Sequence, residues 1–257
     1  MKLSVIIPSY KDPLLNKTVE CLLENSELGD QLEVICVLDG YWQAPVDDPR
    51  VKVLHLGKTG GMRNAINMGV KMSTGEFIMR TDEHCMFGPG YDRILTERFK
   101  DNWIVYPTRY YLDPVKWERM DKEPNVYNKL IIDETHGKFS GANWKKREIE
   151  RAHKMIDDSM AMQGSCWIMK RKWWDEVIGE LQTEGYGPLY QDSIEMVFKT
   201  WKAGGRLLVN KNTWYAHKDR SFSRTHNYGT KEARPGWDYA LELWGEYYKE
   251  IKAKWRI

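Results

Sequence analysis

The sequence has no long hydrophobic run. No window approaches the roughly 18 uninterrupted apolar residues that a membrane-spanning helix requires. The first ten residues, MKLSVIIPSY, lack the apolar region and the small-residue cleavage site of a signal peptide, and they are typical of a strand. We therefore expect a soluble protein that stays in the cytoplasm.

Cysteines are few, and a glycine-rich phosphate loop is missing. The cysteines lack the short paired spacing of a zinc knuckle or of a disulfide framework, so we expect most of their thiols to be buried. The stretch IPSYKDPLLN after the first apolar run has no glycine, which argues against a nucleotidyltransferase. The four cysteines are Cys21, Cys36, Cys85 and Cys166.

Length and composition favour one globular domain. The chain has 257 residues, of which 42% are apolar and 30% charged, and a chain of this length can bury one sizeable core. It contains 12 tryptophans and 14 tyrosines, whose flat rings suit stacking on sugars or bases, although we expect most of them in the core.

Along the first 81 residues, apolar runs typical of strands alternate with segments whose apolar residues have helical spacing. KLSVIIPSY, LEVICVLDG, VKVLHL and EFIMRTD each predict a strand. LLNKTVECLLENS predicts a helix, and a second helix is predicted from Met62 to about Met72. Continuous apolar strands separated by helices indicate a Rossmann-like α/β fold with a mostly parallel sheet covered on both faces.

A polar residue follows each of these strands. Ligands of parallel sheets collect at the carboxyl ends of the strands, so we expect these side chains to lie at one site. They are Ser9, Asp39, Lys58 and Asp82.

Residues 107–160 show no sustained periodicity of apolar residues. They are polar and contain several Pro and Gly residues, which predicts long loops and short elements placed over the site. Regular patterns return in SMAMQGSCWIMKRKWWDEVIG, as a strand and a helix, and in YQDSIEMVFKTWKAG, as a helix. RLLVNKNTWYAHK predicts strands.

The triplet Asp82-Glu83-His84 is a candidate metal site. In an extended chain, Asp82 and His84 project to the same side, whereas Glu83 points away and is the weaker ligand candidate. The alternative is a polar turn at the end of a strand.

Four segments together resemble a known family. SVIIPSYKD, VICVLDG, GGMRNAINMGVKMSTGEFIMRTDEH and GPLYQDSIEMVFKTWKAGGRLLVNKNTWYAH stand in the order found in family 2-like glycosyltransferases with the GT-A fold. The later segments are similar to the polypeptide N-acetylgalactosaminyltransferase branch, whose metal motif is Asp-x-His. The resemblance covers roughly residues 3–90 and 160–220.

The resemblance implies transfer of a sugar from a nucleotide-sugar donor, UDP-linked in our expectation, to an acceptor with the help of a divalent metal. It also implies a single GT-A domain over residues 1–257. Within it we expect a nucleotide-sugar-binding half (1–106), an acceptor-side half (107–220), and a basic loop with a C-terminal helix (221–257).

The resemblance also supplies a third metal ligand. His217 in TWYAHKD matches the C-terminal metal histidine of the branch, the alternative being a histidine satisfied in the core. A hard divalent cation can neutralise the charge that develops on a nucleoside diphosphate leaving group. Manganese accepts a mixed nitrogen and oxygen ligand set better than magnesium does, so we expect Mn²⁺, with Mg²⁺ as the alternative.

The other strand ends fit a nucleotide. Pro8, Ser9 and Tyr10 would form the wall beside the base, and Asp39 would accept hydrogen bonds from uracil or ribose unless it lies in an ordinary turn. The family often has two acidic residues here, but Leu38 replaces the first, which leaves the identity of the base open.

A glycine-rich turn precedes the second helix. Gly61 and Arg63 match the family's turn on the donor side, and the Arg63 guanidinium would pair with a phosphate unless it simply starts a surface helix.

The acceptor side is expected around Gly164, Trp167, Asp192 and Glu195. Trp167 is a candidate stacking surface or a core residue. In inverting members a carboxylate at the position of Asp192 is the general base, and in retaining members it would bind sugar hydroxyls; a helix N-cap is the structural alternative. Glu195 would share that face or complete a capping box.

The C-terminal part is basic. Residues 199–257 contain 13 Lys and Arg against 6 Asp and Glu, which suits a phosphate-bearing partner or a solvated amphipathic helix. Lys218, Arg220 and Arg224 would form a lid over the donor diphosphate or hold the phosphates of an acceptor.

The acceptor stays open at this stage. A glycan, a lipid-linked glycan, a hydroxylated DNA base and a protein side chain all suit the scaffold, and for DNA the aromatic residues at 103–117 would serve as stacking platforms. Competing functions are a nucleotidyltransferase and a non-catalytic sugar-binding or nucleic-acid-binding module. The sequence leaves the oligomeric state open.

Overall fold

The computed structural model describes residues 2–223 and 230–257. These residues form one large sheet, which runs in the order β10-β12-β6-β11-β4-β1-β2-β3, with β5 beside β12 and β7 beside β6, and a separate hairpin of β8 and β9. The strands are β1 (Leu3–Ser9), β2 (Leu32–Asp39), β3 (Val51–Leu56), β4 (Phe77–Thr81), β5 (Cys85–Phe87), β6 (Trp103–Asp113), β7 (Glu118–Arg119), β8 (Asn128–Asp133), β9 (Lys138–Asn143), β10 (Ile156–Asp158), β11 (Cys166–Lys170) and β12 (Arg206–Lys218).

Helices cover both faces of the sheet. A 3₁₀ turn at Gly29–Gln31 precedes β2, and a π-helical turn at Trp174–Ile178 continues the fifth helix. None of the described helices has the length and apolar character needed to cross a membrane. The helices are α1 (Leu15–Glu24), α2 (Met62–Met72), α3 (Tyr91–Thr96), α4 (Lys145–Glu150), α5 (Arg171–Trp173), α6 (Asp192–Lys202) and α7 (Thr230–Trp255).

The predicted mostly parallel α/β sheet is confirmed. β1 runs parallel to β2 and β4, β2 runs parallel to β3, and β6 runs parallel to β12. β11 is the antiparallel strand that joins the two parallel parts, because it pairs with β4 on one side and β6 on the other. The division of the chain into donor and acceptor halves stays a prediction.

Alternate residues of the strands point to opposite faces of the sheet, and each face has its own hydrophobic core. Ile6 and Ile35 pack on the face covered by α2, α6 and α7, whereas Val5 and Val34 pack on the face covered by α1 and α3. β1 and β2 are buried along their whole length, which explains why their sequences are continuous apolar runs.

Residues 107–160 are more regular than the sequence predicts. β6 continues through Asp113, because its residues pair with β12 as far as the Leu112–Lys218 register. The β8–β9 hairpin follows, with Leu130 and Phe139 in the core. The polar composition of this region hides the hairpin, in which few side chains reach the core, whereas β6 has only buried and half-buried residues.

The C-terminal helix packs against the core. In α7, buried residues recur at helical spacing and face α6 and the β8–β9 hairpin, while basic side chains remain outside. The described part of α7 therefore matches the amphipathic-helix alternative, and the phosphate-bearing partner stays a prediction. The buried residues are Trp237, Ala240, Trp244, Tyr248 and Ile251.

Glu33 on β2 predicts a pH dependence of stability. Its buried carboxylate accepts hydrogen bonds from Ser4 Oγ (2.5 Å), Lys52 Nζ (2.6 Å) and the Thr74 backbone N–H (2.6 Å). Burial opposes ionisation, but these bonds lower the pKa of Glu33 to about 2. Because the folded-state pKa is depressed, this stabilisation is present above the unfolded pKa and is lost as the pH falls towards 2.

We expect acidification from about pH 6 to pH 3 to cost the wild type about 2 kcal/mol more of unfolding free energy than it costs Glu33→Gln. Urea unfolding across this range measures the difference. Parallel pH profiles of the two proteins would contradict this account.

Candidate functional site

Three candidate metal ligands meet at the edge of the sheet. Asp82 directly follows β4, and His84 directly precedes β5. Antiparallel pairing of β5 with β12 sets His217 opposite Cys85, so that strand register brings a histidine 133 positions away next to His84. Long-range pairing of a three-residue strand therefore assembles the cluster.

The ligand atoms form a compact triangle. His217 Nε2 lies 2.8 Å from Asp82 Oδ2 and 3.2 Å from His84 Nε2, and His84 Nε2 lies 3.9 Å from Asp82 Oδ2. Ligands held at about 2.1 Å from one octahedral cation stand about 3 Å apart at neighbouring corners. Two imidazoles and a carboxylate are also a recognised metal-binding face that leaves positions open. The cluster therefore fits a divalent cation.

The charge states of these residues suit metal binding. Burial lowers the pKa of His217 to about 3, although its hydrogen bond to Asp82 opposes this, so the ring is neutral at pH 7. Burial opposes ionisation of Asp82, but Arg80 Nη2 at 2.5 Å and His217 hold the pKa of this carboxyl well below its usual value. The triad thus offers one anion and a neutral imidazole.

Two further residues orient the histidines, and the sequence reasoning missed both. Asp12 Oδ2 lies 3.0 Å from His84 Nδ1, and Arg109 Nη2 lies 3.5 Å from His217 Nδ1. Asp12 follows the end of β1 by three residues. This position resembles that of the polar residues expected at the other strand ends, and it is the signal that could have identified Asp12. Arg109 gave no signal, because its position on β6 depends on the parallel pairing with β12.

Glu83 points towards the chain that follows β1. Its Oε2 accepts a hydrogen bond from the Tyr10 backbone N–H at 2.9 Å. Burial, together with the nearby Asp12 and Asp82, raises the pKa of Glu83 to about 8. Glu83 also belongs to a second group of ligand-type atoms with Asp12 and His84, all within 4.8 Å of one another.

The predicted base wall lies along the end of β1. Pro8 is in register with Val37 of β2, Ser9 Oγ shares a hydrogen bond with the Tyr41 hydroxyl, and the Tyr10 ring meets the Tyr41 ring edge-on at 6.3 Å. Tyr10 contacts Glu83, and Asp12 follows Tyr10 by two positions along the chain.

Asp39 fixes the turn before α2. Its two carboxylate oxygens accept the backbone N–H groups of Gly60 (2.6 Å) and Gly61 (2.9 Å). Gly61 has φ +85°, and a side chain there would overlap Pro188. Asp39 therefore braces the Gly60-Gly61 turn, and its expected hydrogen bonds to uracil or ribose stay a prediction.

Arg63 is placed differently from the sequence expectation. Its guanidinium is fully buried, pairs with Glu195, and donates to the carbonyls of Gln182 (2.7 Å) and Tyr190 (2.8 Å). It also lies over the Tyr186 ring, 4.3 Å from the centroid. Arg63 therefore ties α2 to the 182–195 segment, and its donors are directed at protein groups instead of at a phosphate.

Glu195 and Asp192 differ in their surroundings. Glu195 is buried between Arg63 and Lys199, whose Nζ lies 2.7 Å away, and it also accepts the Gln182 backbone N–H at 3.4 Å, so its carboxylate is held by protein groups. Asp192 is the first residue of α6, preceded by Gln191 with φ +62°, and its Oδ2 has no partner among the described residues. Burial raises the pKa of Asp192, opposed by Arg80 and Arg63. Of the two carboxylates, Asp192 is the one with an oxygen that lacks a protein partner among the described residues.

Trp167 is a core residue in this structure. It is fully buried, and its ring stacks on Trp174 with centroids 6.0 Å apart. The predicted stacking on a sugar does not match this placement, whereas the core alternative does. The neighbouring Gly164 contributes its carbonyl to a hydrogen bond from Arg80 Nη1.

The predicted lid residues begin directly after His217, and the first of them belongs to a strand and not to a loop. Lys218 ends β12, is buried, and donates its backbone N–H to the His84 carbonyl at 3.1 Å. Arg220 is exposed two residues later. Arg224 lies outside the described residues.

Comparison with known proteins places the chain in a family. Residues 4–178 match the family model of glycosyl transferase family 2. Polypeptide N-acetylgalactosaminyltransferase 3 of Mus musculus is 23% identical over 96% of this chain and 42% of its own length, and the Homo sapiens protein of that name is 24% identical over the same shares. A probable N-acetylgalactosaminyltransferase 7 of Caenorhabditis elegans is 25% identical over 72% of this chain and 31% of its own length. The chain thus spans less than half the length of these curated relatives.

Solved structures share the fold. The crystal structure of GalNAc-T7 with UDP, GalNAc and Mn²⁺ superposes with a TM-score of 0.78 at 18% identity, covering 96% of this chain and 50% of that one. The structure of S. aureus TarS 1-349 superposes with a TM-score of 0.55 at 15% identity, covering 85% of this chain and 60% of that one. The resemblance inferred from the sequence is confirmed, and the chain belongs to glycosyl transferase family 2, with a GT-A fold.

Proposed function

We propose that this protein is a metal-dependent glycosyltransferase that moves a sugar from a nucleoside-diphosphate sugar, UDP-linked, to an acceptor hydroxyl. The observation that carries the proposal is the triangle of Asp82 Oδ2, His84 Nε2 and His217 Nε2 at the carboxyl edge of the sheet. Ligands of parallel sheets bind at this edge. The UDP and Mn²⁺ named for the GalNAc-T7 structure support the choice of donor and metal.

Asp82, His84 and His217 would hold the cation, Mn²⁺ or Mg²⁺. When bound, the cation supplies charge neutralisation to the leaving diphosphate. Arg80 holds Asp82 as an anion through the 2.5 Å ion pair, and Asp12 holds the His84 ring in one orientation. Lys218 and Arg220 follow the last ligand, so they are the cationic side chains best placed to contact a diphosphate from this strand.

Asp12 sets the tautomer of His84. Its carboxylate accepts from Nδ1–H, which leaves Nε2 of that ring facing the cluster. We expect Asp12→Asn to weaken Mn²⁺ binding by about 10- to 100-fold, because the amide can present a donor to Nδ1 and favour the other tautomer. Isothermal titration with Mn²⁺ measures this, with the exposed Asp30→Asn as control. Unchanged affinity in Asp12→Asn would contradict the positioning role.

Asp192 is the proposed contact for the reacting hydroxyl. Its buried Oδ2 lacks a protein partner among the described residues, and Arg80 links it electrostatically to Asp82. We expect Asp192→Asn to lower kcat by about 10²-fold with little change in donor KM, as loss of a general base does. If only KM rises, Asp192 binds sugar hydroxyls. Glu195 is held by Arg63 and Lys199. It would therefore fix the position of α6, and with it Asp192, without contacting the substrate.

The decisive experiment is a donor screen. The purified protein is incubated with UDP-GalNAc, UDP-GlcNAc, UDP-glucose, UDP-galactose and GDP-mannose, with Mn²⁺ or with EDTA, and released nucleoside diphosphate is measured. The proposal predicts slow, metal-dependent hydrolysis of one UDP-sugar. If no donor is hydrolysed or bound in the presence of metal, the non-catalytic binding module becomes the better function.

The acceptor is a separate question. The curated relatives are named for transfer to polypeptides, so a Ser/Thr-containing peptide is the first acceptor to test, followed by glycans, lipid-linked glycans and hydroxymethylated DNA. Mass spectrometry of each acceptor after incubation with the active donor identifies the product.

A further inference from the structure

A cavity of about 560 Å³ lies beside the metal cluster and belongs to no function described so far. One wall is the face of α1 that carries Lys17, Glu20 and Glu24, which are three and four positions apart and so lie on one side of the helix. The other walls are the end of β5 and two tryptophans, Trp117 and Trp214.

The cavity is distinct from the metal cluster. Trp214 precedes His217 by three residues on β12, which is about 10 Å along a strand. The α1 backbone separates the two places on the other side, where Thr18 Oγ1 donates to the Glu83 carbonyl at 3.0 Å. A ligand in the cavity would therefore lie next to the proposed transfer site without occupying it.

The two tryptophans are held as partly exposed platforms. Trp117 has φ +55°, a left-handed conformation that is rare for a bulky residue and that persists where the surroundings fix it. Trp214 meets the Tyr110 ring edge-on at 6.0 Å, and Arg119 lies over Trp214, 4.3 Å from its ring centroid. Gly88 has no side chain, and its backbone lies against the Trp214 indole, where a Cβ would come within 2.6 Å of Nε1.

We propose that this cavity is an accessory binding site for a neutral saccharide. Indole faces pack on the C–H face of a sugar ring, and the Glu20 and Glu24 carboxylates accept hydrogen bonds from its hydroxyl groups. The Lys17 ammonium, 5.6 Å from the Trp117 centroid, supplies a donor at the same wall. The volume lies in the range of small-molecule sites and holds one or two sugar rings.

The charges argue for a neutral ligand. The Glu20 and Glu24 carboxylates are balanced by Lys17 and by the Arg119 guanidinium over Trp214, so these charges give a phosphate group no net attraction. Lys17 already places a cation over Trp117, which lowers the attraction for a second cation. A hydroxyl-rich ring uses the acceptors, the donor and the apolar faces at once.

Saturation-transfer NMR tests the site directly. The probes are lactose, maltose, cellobiose and N,N′-diacetylchitobiose, measured with EDTA and without nucleotide, so that failure of transfer and failure of this site are distinguishable. We expect at least one disaccharide to bind, and its affinity to fall about tenfold in Trp117→Ala and in Glu20→Ala. Asp82→Ala, which removes a metal ligand, leaves this binding unchanged.

Matched variants separate a site from a fold defect. Trp42→Ala removes a tryptophan that is 64% exposed outside the cavity and should bind like the wild type. Trp117→Tyr keeps a ring and should retain most of the affinity, and Glu20 is exposed on α1, so its truncation tests the cavity without touching the core. The proposal is overturned if no disaccharide binds, if binding survives in Trp117→Ala and Glu20→Ala, or if choline binds there in place of the saccharides.

Discussion

Asp82→Ala is expected to lower metal-dependent turnover of the donor by about 10³-fold, because a bound cation contributes several kcal/mol of charge stabilisation that depends on this carboxylate. Asp82 is the anion of the triad, at 2.8 Å from His217 Nε2. Without it, no anionic ligand remains in the triad, and two imidazoles alone hold a divalent cation poorly. Nucleoside diphosphate release measures turnover, and isothermal titration with Mn²⁺ measures the loss of metal binding separately.

Three further proteins complete the test of Asp82. His217→Ala should reproduce the loss, because it removes the ligand that joins Asp82 to His84. Asp82→Asn keeps the shape beside Arg80 and shows how much of the effect is charge alone. The exposed Asp47→Ala should behave like the wild type. Full turnover by Asp82→Ala in the presence of EDTA would overturn the metal-dependent function.

Arg63→Met is expected to destabilise the protein by about 3–5 kcal/mol, because it leaves the buried Glu195 carboxylate without its main partner. Lys199 remains 2.7 Å from Glu195 but is partly exposed and replaces only part of the interaction. Urea unfolding monitored by tryptophan fluorescence measures the change. The double variant Arg63→Met/Glu195→Leu should recover much of the loss, since no charge is then left buried.

The same variant decides between the two interpretations of Arg63. Arg93→Met removes an arginine from surface pairs with Glu27 and Glu97, and we expect it to change stability little. If Arg63→Met keeps the stability of the wild type and instead raises the donor KM, the phosphate contact expected from the sequence is correct and the structural interpretation is wrong.

Local patterns predicted the strands and helices of the first 81 residues well. The α2 helix was expected from Met62 to about Met72 and spans those residues, because its apolar spacing and the preceding glycines are both local signals. Asp82 and His84 lie close together as expected, with 3.9 Å between Asp82 Oδ2 and His84 Nε2, but the reason given for it was wrong, because the chain bends at Glu83 and His84 between β4 and β5 instead of staying extended.

Contacts between distant segments were not predictable in this way. The pairing of Arg63 with Glu195 joins positions 132 apart, and nothing in either segment shows that one charge is reserved for the other. Trp167 is of a residue type that often stacks on sugars. Only the packing of α5 and the following π-helical turn over β11 shows that its ring stacks on Trp174 instead. The part of β6 beyond residue 107 stayed hidden because its partner β12 lies far along the chain, whereas the β8–β9 hairpin is local and was hidden by its polar sequence.

The central position of β11 has a consequence for folding and for protein engineering. Its residues pair with β4, from the first 106 residues, and with β6, which itself crosses the boundary predicted between the two halves. A fragment that ended before β11 would leave β4 with an unpaired edge, and such edges template aggregation. The two halves are thus expected to fold as one cooperative unit, so a split reporter or a circular permutant should be cut in surface turns such as 134–137 and not between the halves.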